Sequence, residues 1–538
     1  MRILRAALAS GLLLASGGAR ASGTQSVQCT GNPAADGAAL VKAFHDINLA
    51  NGGVIVLAEK CVYGLTSPAP VEDLGFWFGP TGLPVVTSTI VVEGNGSTIK
   101  PVGPTSGGVR LIAVAGPAGQ IPGSSPAYPH AGNLTLRNLT LTGGKAQGGH
   151  GASSAVRSGG GGAGLGGAAF VQGSLTLDAV TIRECTAYGG NGGVTFLAAD
   201  PTGNGGGGGL GGDGGDGGGG FAGAGAIAGG GAVTDAAGAT PGDWGTAPSP
   251  WGLGTPANGR GGDATDPGGG FGGGGAFVSG ALGGAGGVGG GGGGCTDTGA
   301  CTGGNGGFGG GGGAGNAIDG ALGGVSLFGG GNGAPNSGAP GFGGGLAGTS
   351  ANGAPAAGGG GAGLGGAIFV HGGTLTVRNS TFLGNAAQGG AGGTLRANGF
   401  QIQGSDGGAG YGGAIFVLNG TVSIASSTFD NNVVIGGYGG DGAVPGANGP
   451  SVGAIYAAHL DLGGVPVGPT MVTIANTIVS WTFALDAPPA ADCGLTGGAM
   501  LVSGDTNLVK VPGECVFAGA GDLTGVDPML TAIADNGG

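Results

Sequence analysis

Two stretches put carboxylates where an ion could use them. Gly211-Gly212-Asp213-Gly214-Gly215-Asp216 and Gly436-Gly437-Tyr438-Gly439-Gly440-Asp441 match the front of the calcium-binding nonapeptide, whose adjacent turns complete a shell of hard oxygen ligands. The two stretches stand far apart, and each lacks the bulky apolar residue two places after its aspartate. Calcium at Asp213, Asp216 and Asp441 is thus the one metal suggested, against solvated loop aspartates as the plainer reading. His150 sits between glycines in a glycine-serine loop. Glycosidic hydrolysis would need two or three carboxylates around the bond, and the chain has no Asp-Asp pair, Asn-Thr-Asp or Arg-x-Lys. His371 and His459 are isolated, which leaves an imidazole metal site unsupported. Arg137, Arg183 and Arg378, the bases a lyase could use, recur at strand-to-turn positions that a solvent-facing turn explains. Gly-x-Gly-x-x-Gly is frequent, but among 151 glycines it carries no information, and no Gly-Lys-Ser/Thr follows it. No catalytic residue and no cofactor is assigned.

Any such residue would be positioned by a repeat. Leu364 to Gly390, LGGAIFVHGGTLTVRNSTFLGNAAQGG, returns from Tyr411 to Gly437 as YGGAIFVLNGTVSIASSTFDNNVVIGG. Phe369, Leu375, Val377 and Phe382 are answered by Phe416, Val422, Ile424 and Phe429. A third copy, Leu165 to Gly190, has one residue fewer before its second strand. Short alternating runs such as Thr374 to Val377 read as strands between Gly and Asn turns. Units too short to close a core alone are stabilised by stacking on the next copy. The expected fold class is all-β: a right-handed parallel β-helix with a short N-terminal capping helix and long Gly-rich loops.

The GGAIFV, GTLTV, NSTF and GNA elements resemble the right-handed β-helix repeat proteins of bacterial surfaces and secretomes, a pectin-lyase-like superfamily. Asp36 to Ser67 is similar to their N-terminal block, and Gly82 to Ile99 to the coil that follows. Asp492 to Gly538 resembles their C-terminal choice-of-anchor module, although relatives usually continue past the Asp-Asn-Gly-Gly with a further strand and a sorting segment. Gly149-His150-Gly151 invites comparison with the pectin-degrading hydrolases of this fold, without their carboxylates. The resemblance implies an exported surface protein, adhesive or structural in the cell envelope, and not an enzyme. The alternative it leaves open is a β-helix that binds or degrades polysaccharide.

Composition narrows the partners. Formal net charge is −13, and −16 without Arg2, Arg5 and Arg20 of the first 21 residues, a sign ill suited to nucleic acid or anionic lipid. Arg2 and Arg5 before the apolar run Ala6 to Ala15, with Ala19-Arg20-Ala21 before Ser22, read as a secretory signal peptide. No later segment is apolar for long enough to suggest a transmembrane span. The expected protein is secreted or on the cell surface, a monomer, with extracellular polysaccharide or cell-surface components as partners. Seven cysteines in an exported chain favour disulfides. The pairings local in sequence are Cys29–Cys61, Cys295–Cys301 and Cys493–Cys515. Cys185 is left as a buried inert thiol, within a residue or two of where later copies carry Asn385 and Asn432.

In order, the expected organisation is 1–21 signal peptide, 22–81 N-terminal cap, 82–188 β-helix coils, 189–363 a Gly-rich region with degenerate coils, 364–485 further coils and 486–538 a C-terminal cap. Leu40, Val41, Phe44 and Ile47 predict a helix over 38–51, with Pro33 and Asp36 upstream as start signals. Two readings fit residues 189–363. Glycine loops could project from coils that persist beneath, echoed at Gly274-Gly275-Ala276-Phe277-Val278, Gly225-Ala226-Ile227 and Gly315-Asn316-Ala317-Ile318. Or a three-residue period could pack glycine strands as a polyproline-II-like bundle. The first is favoured, because long loops are normally flanked by ordered elements.

Overall fold

The computed structural model describes residues 23–69, 78–103, 109–117, 131–154, 157–196, 205–211, 213–214, 283–286, 290–294, 302–315, 322–335, 338–349, 356–396, 403–462, 468–484 and 490–531. The proposed signal peptide, Asp216, the Cys295–Cys301 pair and the echoes at 225–227 and 274–278 lie outside them, as does all but Gly315 of the third echo.

The helix spans Pro33–Leu49, starting earlier than the apolar spacing alone indicates. Asn32 is the reason: its side chain accepts from the N–H groups of Ala34 and Ala35, and Pro33 takes the first helical position. Leu40, Ala43, Phe44 and Ile47 are buried over the first strands. Gly37 lets the helix lie directly on Gly64, because a methyl there would meet its carbonyl oxygen.

Among the described residues all the strand pairs are parallel, and equivalent residues face each other. Thr374–Arg378 lies between Ser174–Arg183 and Thr421–Ala425, with Leu375 opposite Leu175 and Val422. Ile368–His371 pairs with Ile415–Leu418, placing Phe369 beside Phe416. A fifteen-stranded, a six-stranded and a five-stranded sheet are built from successive passes of the chain. Between the first two run the buried Leu134, Leu175, Leu375, Val422 and Val472 and the stacked Phe382 and Phe429, 4.6 Å apart. Burying each such side chain stabilises by roughly 1.5–3 kcal/mol. Buried polar side chains continue the ladder around the turns. Val180, Ser380 and Ser427 donate backbone N–H to Ser380, Ser427 and Thr477 in turn.

The glycine residues correct the favoured reading. The strand Ser174–Arg183 bonds directly to Thr374–Arg378 and Thr381–Leu383, so residues 189–363 place no coil between those passes. Instead, glycine segments bond laterally to one another. Along 158–164, the N–H groups of Ser158, Gly161 and Gly164 donate to Ala356, Gly359 and Ala362. Those of Gly159 and Gly162 donate to Ala152 and Gly149, and those of Gly160 and Ala163 to Gly312 and Gly309. The carbonyls of the same segment accept from 190–193, 205–208 and 331–334. Donors that turn to a new neighbour with every residue and return every third are the signature of polyproline-II geometry, and here they give one segment six neighbours. Only glycine permits the spacing: a Cβ on Gly159, Gly160, Gly161 or Gly162 would fall under 3.0 Å from a neighbouring carbonyl oxygen.

An aromatic seam joins this bundle to the six-stranded sheet. In strand Ile368–His371, Ile368 and Val370 enter the interior between the sheets, whereas Phe369 faces the bundle. Phe308, Phe328 and Phe342 form a column, 4.8 and 6.0 Å between successive rings. It packs against Phe170, Phe369, Phe416 and Tyr456. Each of the three is followed by a glycine in the left-handed region, Gly309, Gly329 and Gly343, where the chain reverses back into the bundle.

Candidate functional site

The surface where repeated chemistry converges is the outer face of the long sheet. In a strand alternate residues face opposite ways, so Leu375 and Val377 are buried while Thr374 and Arg378 are exposed. Parallel register turns each outward position into a column. One column reads Thr89, Asn133, Ser174, Thr374, Thr421. The next reads Thr135, Thr176, Thr376, Ser423, Thr473. Past the corner a third reads Thr98, Thr140, Thr181, Thr381, Thr428. The result is an uncharged array of hydroxyls, with the Asn133 amide among them, at the strand spacing of roughly 4.8 Å.

Four charges line up in one column at its border: Glu93, Arg137, Asp178, Arg378. Signs alternate, and Arg137 Nη1 meets Glu93 Oε1 at 2.6 Å. Such a column can hold acidic and hydroxyl groups of a ligand by paired hydrogen bonds. It also neutralises itself, which is the plainest reason for its order. Glu93 and Asp178 escaped the sequence reading because nothing in a linear chain sets them beside Arg137 until the coil lengths are known.

The other candidates take structural places. His150 donates its backbone N–H to Asp213 Oδ1 at 2.7 Å, and its Nδ1 accepts from Asn191 N at 2.9 Å, tying the ring into the glycine bundle. Asp213 and Asp441 are exposed and belong to different turns. His459 Nδ1 is 3.0 Å from Thr470 Oγ1. His371 is buried in the aromatic seam, its Nδ1 3.2 Å from Gln172 and its ring 4.9 Å from that of Phe308, and burial pushes its pKa down to about 4. Arg183 lies at an exposed corner, 4.0 Å from Glu184. Arg110, not anticipated, is buried. It donates to the carbonyls of Phe78, Leu165 and Gly166 and lies over the Phe170 ring. Burial lowers its pKa to about 9. It pins the glycine turn that leads into the six-stranded sheet.

Cys29–Cys61 and Cys493–Cys515 are disulfides, with Cα atoms 5.8 and 5.9 Å apart. Cys185 is buried and free, its pKa pushed up to about 12 by burial. It sits in full register with Asn385, whose Oδ1 accepts its N–H at 3.1 Å, so the offset expected from the sequence closes to zero. Among the described residues, Cys29, Asp36 and Cys61 are the one set of three metal-type donors that approach one another. No described helix is long and apolar enough to cross a membrane.

Fold and face together define an all-β protein of parallel sheets bearing a hydroxyl-lined surface and a packed glycine bundle. No family model and no curated protein matches the chain. Among solved structures, the A-module of the mannuronan C-5 epimerase AlgE6 from Azotobacter vinelandii aligns over 93% of this chain and 99% of its own. The identity is 12% and the TM-score 0.21, too slight a likeness to inform the site.

Proposed function

We propose that the sheets are walls of a right-handed parallel β-helix, and that the protein is an exported, non-enzymatic surface module, adhesive or structural in the cell envelope. The observation that carries this reading is the union of sheets and glycine bundle. Lateral hydrogen bonds and the Phe308–Phe328–Phe342 seam make a rigid body with long regular faces, the property a scaffold or adhesin needs. The C-terminal strands from Cys493 onward close the stack as a cap of the choice-of-anchor type.

One arrangement favours a second reading, polysaccharide binding. The threonine columns bordered by Glu93, Arg137, Asp178 and Arg378 suit a long ligand of repeated hydroxyls and occasional carboxylates. Screening the purified chain against acidic and neutral polysaccharides, for binding and for cleavage, separates the readings. Binding abolished by Thr376→Glu supports the second. Cleavage products from any polysaccharide would overturn the non-enzymatic assignment.

A further inference from the structure

The N-terminal cap is locked by Cys29–Cys61, and a carboxylate lies against the lock. Asp36 is 1% exposed. Its Oδ1 accepts from Thr30 N at 2.9 Å and from Thr30 Oγ1 at 2.6 Å. Its Oδ2 faces the two sulfurs, 3.8 Å from Cys29 Sγ and 3.7 Å from Cys61 Sγ. The hydroxyl and N–H of Thr30 hold the carboxyl below the usual carboxylate range, so at neutral pH it is ionised.

Reduction of a disulfide by a thiol puts negative charge at that spot. The attacking thiolate bonds to one sulfur, the S–S bond breaks, and its electron pair stays on the other as a thiolate. A second thiolate then attacks the mixed disulfide, so the reductant leaves as its own disulfide while the cysteine pair has gained two electrons and two protons. Cys29 is exposed and Cys61 is buried, so attack falls on Cys29 and Cys61 is expelled. The expelled thiolate would form out of water and beside a fixed carboxylate, and both effects disfavour it.

We infer that Asp36 is an electrostatic guard that keeps the cap disulfide from thiol exchange. It is a positioning residue with two tasks. Through Thr30 it shapes the entry to the helix, and through Oδ2 it repels the leaving thiolate. The lock therefore resists reducing surroundings in a way its mere burial would not provide, since Cys29 stays open to attack.

The test follows loss of Cys29–Cys61 in excess reduced glutathione at neutral pH by mass mapping of alkylated peptides, with Cys493–Cys515 of the same chain as internal reference. Asp36→Asn keeps size and an acceptor for Thr30 and removes the charge; it should open Cys29–Cys61 at least about tenfold faster while the reference is unchanged. Thr30→Val removes a hydrogen bond and keeps the charge; it should stay within about twofold of wild type. Equal rates for Asp36→Asn and wild type overturn the inference. So does parallel acceleration of the reference, or a Thr30→Val rate equal to that of Asp36→Asn, because each would make the effect one of loosened structure.

Discussion

Replacing Gly161 by alanine tests the close packing of the glycine segments. Its N–H donates to Gly359 O at 2.9 Å, and its carbonyl accepts from Gly331 N at 2.8 Å. The missing side chain would point at Gly190 O, under 3.0 Å away. A methyl there must push the 190–193 segment outward, and that segment holds on through Gly190 N to Gly162 O at 2.7 Å and Gly193 N to Gly159 O at 2.9 Å. Overpacking costs about 1–3 kcal/mol, and each buried group left unpaired about 1–3 kcal/mol more. The smaller entropy of the unfolded alanine chain returns about 0.4–1 kcal/mol. The net expectation is a loss of about 3 kcal/mol, felt first as local opening. Gly468→Ala is the control, because a methyl there meets nothing within 4 Å and should change stability by no more than about 0.5 kcal/mol. Hydrogen exchange reads both: amides of 158–163 and 190–193 should lose about a hundredfold of protection in Gly161→Ala and none in Gly468→Ala. Equal protection in the two variants would refute the lateral hydrogen bonding of the glycine segments.

Other expectations follow from single positions. Ala179 has φ +55 at a corner where Asn138, Asn379 and Asn476 adopt the same left-handed conformation; Ala179→Asn should stabilise by about 0.5–1 kcal/mol, seen as a raised midpoint in denaturant. Asn385 Nδ2 donates to Ile182 O and Asn432 Oδ1, and its Oδ1 accepts from Cys185 N; Asn385→Ala should cost about 2–4 kcal/mol, measured the same way. His371 binds its proton less readily when folded, its pKa about 4 against an ordinary 6.5. Its contribution is therefore intact above pH 6.5 and lost as acid is added toward the folded value, by about 3 kcal/mol in all. Melts across that range should flatten in His371→Gln, and an unchanged profile would remove His371 from the account.

The repeat was legible because identical spacing leaves little freedom of register. Phe369 with Phe416, and Leu375 with Val422, face each other as the 47-residue offset between their numbers requires. The first copy was harder, since Leu175 meets Leu375 across a detour that no local pattern measures. The glycine bundle was half legible. A three-residue period could be suspected, but a glycine carries no side chain to name its partner, and six neighbours are chosen by backbone geometry alone. One signal was there to be read: Leu210-Gly211, Phe308-Gly309, Phe328-Gly329 and Phe342-Gly343 are the same reversal, each with glycine at positive φ. The threonine face was visible as alternation, but its bordering charges were not. Glu93, Arg137, Asp178 and Arg378 become neighbours only after the chain has been wound.

The junction between Ser174–Arg183 and Thr374–Arg378 also governs the order of assembly. A polypeptide that wound from one end could lay down the passes from Thr374 onward on short connections, but this pair must wait for everything between. Closing the longer connection costs about 2 kcal/mol more than a short one, and the rows of bare amides on both halves stay unmatched until it closes. A full-length chain halted midway through folding would thus hold two half-stacks with sticky, complementary ends. Pulse-labelled exchange should find the amides of Val180 and Thr374, which donate across this junction to Ser380 Oγ and Gly173 O, protected in the same late step.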